Sequence, residues 1–292
     1  MVVGYLEKQS PNSRTRTGTG SFPNSVVFPG GVSEPADNAD SWTKHFASFG
    51  YNQCDFESFH HPNSVVTPIF QNNPVQRYDF ITDADTKYWR EKLVKNPEEL
   101  LNLCKEYSCY PDIWSLHFWS NWLTPSHLPK RFNTAFFVAA LETKPNIRTN
   151  SEVAKFEWSS PLDILSKTDI VLYPPQAYEF YRLSHIPELD KLIAFAKEKS
   201  WYGGGFITSF TVKAKDGRIH PMPGDDLYTS YLDNKDNNII NIDKTILELR
   251  ESSKILHRLE LAETGQHLVI KNYKPEHHIN MGDKIFPVQV AL

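Results

Sequence analysis

Apolar and polar positions along the chain change period many times, and each change marks an element. Residues 1–9 (MVVGYLEKQ) suit a short strand, and residues 10–24, rich in Ser, Thr, Asn, Pro and Gly, read as a loop carrying Arg14 and Arg16. Residues 25–28 (SVVF) form a short apolar strand that runs into Pro29-Gly30-Gly31-Val32. Residues 36–47 suit a short helix. Residues 50–83 show no period, and Pro62, Pro68 and Pro74 are spread through them. A structureless stretch of that length is unusual inside a compact domain. Helical spacing resumes at 85–95, and Asn96-Pro97-Glu98-Glu99 predicts a restart: Asn as cap, Pro first, acids at the positive end. That helix should end near Tyr107.

The second half alternates faster. Residues 113–123 are Trp-rich and predict a strand stopped by Thr124-Pro125. Residues 131–142 (RFNTAFFVAALE) give the strongest strand pattern and, by composition, should be buried on both faces. Residues 152–158 alternate as a shorter strand, and Ser159-Ser160-Pro161 opens a helix through Leu165. Helices are expected over 176–183 and 187–199, then a break at Gly203-Gly204-Gly205, a strand over 206–213 and a hairpin turn at Asp216-Gly217. Strands are expected over 255–260 and 267–271.

Composition narrows the function classes. Lys plus Arg number 31 and Asp plus Glu 35, a net charge of −4, which argues against a general nucleic-acid binder. With 40% hydrophobic and 23% charged residues the chain can build a core. Three cysteines, Cys54, Cys104 and Cys109, read as ordinary thiols of a reduced, intracellular protein, and the spacing of the last two is no zinc signature. No apolar run approaches a membrane span of about 18 residues. Neither a signal peptide, a transit peptide nor a peroxisomal C-terminal tripeptide is visible, although an address could have been lost from the N-terminus.

One motif adds chemistry. Phe28-Pro29-Gly30-Gly31-Val32, with Asp37 six residues beyond Gly31, resembles the opening of a Nudix box, G-x5-E-x7-R-E-U-x-E-E-x-G-U, where U is apolar. FPGG alone also fits a Pro-Gly turn at a strand end. Residues 110–124 (YPDIWSLHFWSNWLT), 131–141 (RFNTAFFVAAL), 157–162 (EWSSPL), 172–176 (LYPPQ) and 223–228 (PGDDLY) follow in an order that resembles one branch. That branch is the eukaryotic Nudix hydrolases of the mitochondrial and peroxisomal acyl-coenzyme A diphosphatase type (nucleoside diphosphate-linked moiety X motif 19). The similarity covers roughly residues 3–275.

The resemblance implies an α/β fold: a Nudix-type α/β/α sandwich with a mixed sheet, plus a C-terminal extension of helices and strands. Residues 1–200 would form the Nudix-like domain, interrupted at about 50–83, and residues 201–292 the extension packed on it. It implies hydrolysis of the diphosphate of coenzyme A or acyl-CoA to 3′,5′-ADP and (acyl-)phosphopantetheine, with Mg²⁺ or Mn²⁺ required. Hard divalent cations take carboxylate oxygens, offset the diphosphate charge and polarise the attacking water. In the family those carboxylates stand three and four apart on one helix face.

The chain departs from that pattern at the box helix. The nearest segment, Arg90-Glu91-Lys92-Leu93-Val94-Lys95, puts Val94 and Lys95 where the metal-binding glutamates belong. By order it matches instead the family's helix downstream of the box. The box helix is therefore read as missing, with residues 50–83 in its place, and the chain as most of a larger enzyme. Losing three or four buried apolar side chains removes on the order of 5–10 kcal/mol. Total stability is only about 5–15 kcal/mol, so a marginal fold is expected unless residues 65–70 (VVTPIF) fill the gap.

Candidate site residues follow from the resemblance. Asp37 keeps the first acidic position of the box and is the one metal candidate there. Glu152 begins the strand where these enzymes often place a further carboxylate near the metals, and is the catalytic candidate; it also fits a strand-end charge. Arg14 and Arg16, with Phe28, Gly30 and Gly31, are the substrate-binding candidates, although the arginines also fit a solvated loop. Trp114, Trp119 and Trp122 fit a core or an adenine stack, with the core preferred. Asp225-Asp226 suit a turn, Glu157 a structural role, and His60-His61 and His277-His278 lack a fixed third ligand. The expected partner is a small molecule; the alternative to turnover is a Nudix-fold protein that binds CoA or nucleotide without cleaving it.

Overall fold

A computed structural model describes residues 3–8, 26–30, 35–57, 83–125, 128, 131–141, 144, 153–229 and 239–290. Among them the strands fall into three sheets. β1 (Val3–Lys8) lies between β2 (Val26–Val27) and β5 (Val153–Ser159), antiparallel to both. β3 (His117–Leu123) lies between β4 (Asn133–Val138), antiparallel, and β6 (Phe206–Ile207), parallel. The C-terminal sheet contains β7 (Thr211–Ala214), β8 (Gly217–Pro221), β9 (Ile239–Asn241), β10 (Leu256–Ala262), β11 (Gly265–Lys271) and β12 (Lys284–Pro287). Its order is β12-β11-β10-β8-β7-β9, antiparallel except for the β7–β9 pair. The α/β class and the mixed pairing are as the sequence implies.

The helices are α1 (Asp40–Ala47), α2 (Gln53–Glu57), α3 (Asp83–Lys95), α4 (Glu99–Glu106), α5 (Pro161–Ser166), α6 (Pro174–Ser184), α7 (Leu189–Ser200), α8 (Asp226–Thr229) and α9 (Ile246–Ser252). Caps explain several boundaries. The Ser160 hydroxyl accepts from the Asp163 amide at 3.1 Å, and Thr245 with Glu248 makes a reciprocal capping box. The entry to α4 departs from expectation. Asn96 caps the Glu98 amide at 3.1 Å, and the first bonds run from Glu99 to Asn96 and from Leu100 to Pro97, so a tight turn precedes the α-helix.

Three strand expectations change. Residues 131–142 were expected to be buried on both faces, yet β4 is half-buried to exposed because it lies at the edge of its sheet. The Trp-rich strand begins only at His117, with Ile113 and Trp114 packed in a turn before it. The segment 206–213 is two strands in two different sheets, β6 and β7. The 216–217 hairpin forms as expected, and here glycine is required: a Cβ on Gly217 would lie 2.3 Å from the Leu261 carbonyl oxygen.

The main core joins both halves of the chain. Trp119 and Trp122 of β3, Tyr178 and Tyr181 of α6 and Leu192 of α7 pack with Leu259, Leu268 and Phe286 of the C-terminal sheet. A separate aromatic cluster holds Trp42 and Phe46 of α1, Leu101 and Cys104 of α4, and Cys109, Ile113 and Trp114. Residues 58–82, which include most of the segment read as replacing the box helix, lie outside the described residues.

Candidate functional site

Four of the sequence-derived candidates, Arg14, Arg16, Gly31 and Glu152, lie outside the described residues, as do His60, His61 and residues 65–70. Phe28 follows β2 and is half-buried, its ring 5.5 Å from Phe136 and 4.8 Å from Phe180. Pro29 and Gly30 are exposed beyond it. Asp37 sits half-buried in a 3-10 turn (Pro35–Asn38), whose Ala36 carbonyl accepts the Trp42 indole at 3.1 Å. The structure thus describes the strand end that leads into Gly30.

Helix α3 tests the box. Val94 is 82% exposed, and an open cleft of about 320 Å³ is lined by Arg90, Glu91, Val94 and Lys95. That surface offers one carboxylate against two cations. Among the described residues no group of three or more His, Cys, Asp or Glu side chains is placed to hold a metal ion.

The buried carboxylates are used elsewhere. Glu179 of α6 is 1% exposed and accepts from the Trp119 indole at 2.8 Å, the Ser120 hydroxyl at 2.7 Å, the Trp122 indole at 2.8 Å and Arg182 at 3.3 Å. Strict alternation would turn Trp119 away from Ser120 and Trp122. A register irregularity between Phe118 and Ser120 bends β3, so all three face the helix. The indoles are thereby assigned to the core and to Glu179. Three donors meet Oε1 and one meets Oε2, and the charge of this buried carboxylate is already paired with Arg182.

Asp225 is used the same way. Fully buried, it accepts from Arg258 Nη2 at 2.6 Å and Nε at 2.7 Å, and from the Leu227 and His257 amides at 2.8 and 2.7 Å. Asp226 beside it accepts from the Lys254 and Ile255 amides. The turn the sequence suggests is at Pro223-Gly224, closed by the Asp225 amide on the Met222 carbonyl at 3.1 Å, while Asp226 opens α8; Asp225 is also the anchor of a buried ion pair. Glu260 accepts from Arg250, with Nε at 3.1 Å, and Glu157 pairs with Lys167 at 2.8 Å in the structural role expected for it.

Buried bases complete the arrangement. His257 donates from Nδ1 to the Pro223 carbonyl at 2.7 Å and accepts the Tyr178 hydroxyl at Nε2, also 2.7 Å. Burial pushes its pKa down to about 3, so it stays neutral. His278 donates to the Trp119 carbonyl at 3.1 Å and is likewise held neutral by burial and by Arg182; His277 stacks on Tyr202. Lys199, 4% exposed, donates to the Gly203 carbonyl at 2.9 Å and lies over the Phe118 ring. Burial and then Arg182 lower its pKa to about 8.

Sequence reasoning missed Glu179, Arg182, Asp225 and Arg258 as partners. A signal for the first two exists: Glu179 and Arg182 interrupt the otherwise aromatic and aliphatic run 177–183 of α6, at a spacing of three.

The model of the NUDT19 Nudix domain matches residues 72–183, and that of the NUDT19 C-terminal domain residues 211–269. The chain is 31% identical over 315 residues to the acyl-coenzyme A diphosphatase NUDT19 of Xenopus laevis, covering 90% of this chain and 83% of the frog protein. That match is longer than the 292 residues of this chain, so the frog protein carries residues with no counterpart here. Identity to the proteins of the same name from Gallus gallus and Homo sapiens is 34% and 36%, covering 68% and 59% of this chain and 55% and 47% of theirs. No solved structure matches the chain. On the frog match, with both halves of the family recognised in order, the chain belongs to the NUDT19 family of Nudix proteins.

Proposed function

We propose that the chain acts on the diphosphate of coenzyme A or acyl-CoA, releasing 3′,5′-ADP and (acyl-)phosphopantetheine. The observation that carries this reading is similarity over 90% of the chain to a protein named an acyl-coenzyme A diphosphatase. The glycine turn at Pro29-Gly30-Gly31, with Arg14 and Arg16 before it, is the proposed diphosphate end of the site. Asp37 and Glu152 are the proposed metal and catalytic carboxylates. A net charge of −4 supports a small-molecule partner over nucleic acid. No described helix is long and apolar enough to cross a membrane. A mitochondrial or peroxisomal address is the family expectation, tested by imaging the tagged chain.

The family's chemistry uses Mg²⁺ or Mn²⁺, and the described residues do not fit that group. Glu179, Asp225 and Glu260 spend their oxygens on internal donors, and among the described residues no group of three or more His, Cys, Asp or Glu side chains is placed to hold the ion. This observation favours a second reading, that the chain binds CoA or a nucleotide without turnover. One experiment separates the two. Pure protein is incubated with CoA and Mg²⁺ or Mn²⁺ and 3′,5′-ADP is quantified, with binding of CoA measured in parallel by calorimetry. Release of 3′,5′-ADP at a rate comparable with a relative that retains the box establishes hydrolysis. Saturable heat without product establishes binding alone, and neither signal removes both readings.

A further inference from the structure

Helix α4 ends in a turn that brings two thiols together. Tyr107 caps the helix, and Ser108 follows in the left-handed region at φ 48°. The Cys109 amide then reaches back to the Cys104 carbonyl at 2.8 Å, and the Ser108 amide to the Lys105 carbonyl at 3.3 Å. This pair of bonds is the Schellman arrangement, in which the residues at the two ends of the turn touch side chain to side chain. Here both are cysteines, 2% and 9% exposed, and their thiols hydrogen-bond one another. The turn is pinned from outside, because His45 Nε2 donates to the Cys109 carbonyl at 2.8 Å. Apolar packing alone would account for any two small side chains at these positions. Two thiols paired across a turn that its own backbone bonds hold have the proximity from which a disulfide starts.

We propose that Cys104 and Cys109 form a dithiol that a hydroperoxide closes to an intramolecular disulfide, with Cys109 attacking and Cys104 resolving. Cys109 is the more exposed of the two. The thiol of Cys104, the more deeply buried, is pushed well up, first by its hydrogen bond to Cys109 and then by burial, so it holds its proton and does not attack first. The Cys109 sulfur attacks the peroxide, the O–O bond breaks, the alcohol or water leaves, and a sulfenic acid remains. Cys104 then attacks that sulfur, its proton leaves with the hydroxyl as water, and the S–S bond forms. Two electrons pass from the thiol pair to the peroxide. Neither step draws on the proposed diphosphatase activity, so the two succeed or fail separately.

The test uses the full chain with the exposed Cys54 replaced, Cys54→Ser, and hydrogen peroxide as oxidant. Trypsin cuts after Lys105, between the two cysteines, so their peptides separate unless a disulfide joins them. The expected result is a mass lower by about 2 Da and a joined peptide pair that dithiothreitol splits. With Cys104→Ser added, Cys109 should accumulate sulfenic acid that dimedone labels; with Cys109→Ser, Cys104 should stay unlabelled. Two free thiols after treatment, or a sulfinic acid on Cys109 beside a free Cys104, would overturn the proposal. Dimedone on Cys104 in the Cys109→Ser protein would overturn the assignment of roles.

Discussion

The Tyr178 hydroxyl donates to Nε2 of His257 across 2.7 Å, although the two residues are 79 apart in sequence. Tyr178 lies in the segment matched by the Nudix-domain model and His257 in the segment matched by the C-terminal model, so this bond joins them inside a shared core. The tautomer is fixed because the other ring nitrogen donates to the Pro223 carbonyl. Replacing the hydroxyl, Tyr178→Phe, leaves a buried acceptor unpaired and should cost about 1–3 kcal/mol. A shift of the urea midpoint at unchanged slope measures it.

Acid should destabilise the fold early. The pKa of His257 is depressed to about 3 by burial, and that of His278 is depressed as well, against an ordinary value of 6.5. Below about pH 6.5 the unfolded chain takes up protons that the folded chain refuses, so stability falls as pH falls, until the folded pKa is reached. At pH 5 the buried His257 should account for about 2 kcal/mol, with a contribution of the same sign from His278. Guanidinium midpoints at pH 7, 6 and 5 should decline in order, and a flat series would contradict neutral burial.

Glu179→Gln replaces an acceptor of four bonds by a group that must aim an amide at one of the donors. The loss should be about 3–5 kcal/mol, since Arg182 is left buried without its partner. Near-ultraviolet circular dichroism should weaken and tryptophan emission shift to the red, because Trp119 and Trp122 lose their anchor. Asp225→Asn should cost a similar amount through Arg258, with no spectral change at those indoles.

Lys199→Met should stabilise the protein at pH 7. A buried ammonium is exchanged for an apolar chain of similar length, and a gain of about 1–3 kcal/mol is expected. The gain should shrink between pH 8 and 10.5. There the folded wild-type lysine releases its proton, with a pKa near 8, while the unfolded lysine still holds one, so wild-type stability rises with pH. Thermal midpoints of both proteins across that range provide the check.

Much of this was legible in the sequence because period and caps are local. Ser160 capping Asp163, the 216–217 hairpin and the ends of α3 and α7 follow from neighbours a few residues apart. The edge position of β4 was not legible, since composition reports how apolar a strand is and not whether a second neighbour pairs with it. Glu179 was hidden for another reason. Its three partners on β3 stand 57 to 60 residues away, and only a register irregularity turns them to one side. Asp225 looked like turn chemistry because its partner Arg258 is 33 residues off. On the candidate site, the residues carried by resemblance were readable as a motif, but Glu152, Arg14, Arg16 and Gly31 lie outside the described residues.

The irregularity in β3 also decides which part of the chain holds the fold. It commits the strand to one register with α6, and the ion pairs that lock α6 and the C-terminal sheet draw only on residues after 117. The glycine turn and helix α3 lie upstream of all of them. The bonds that lock the fold are thus set apart in sequence from the glycine turn. Changes confined to residues before 117 leave every one of these bonds in place.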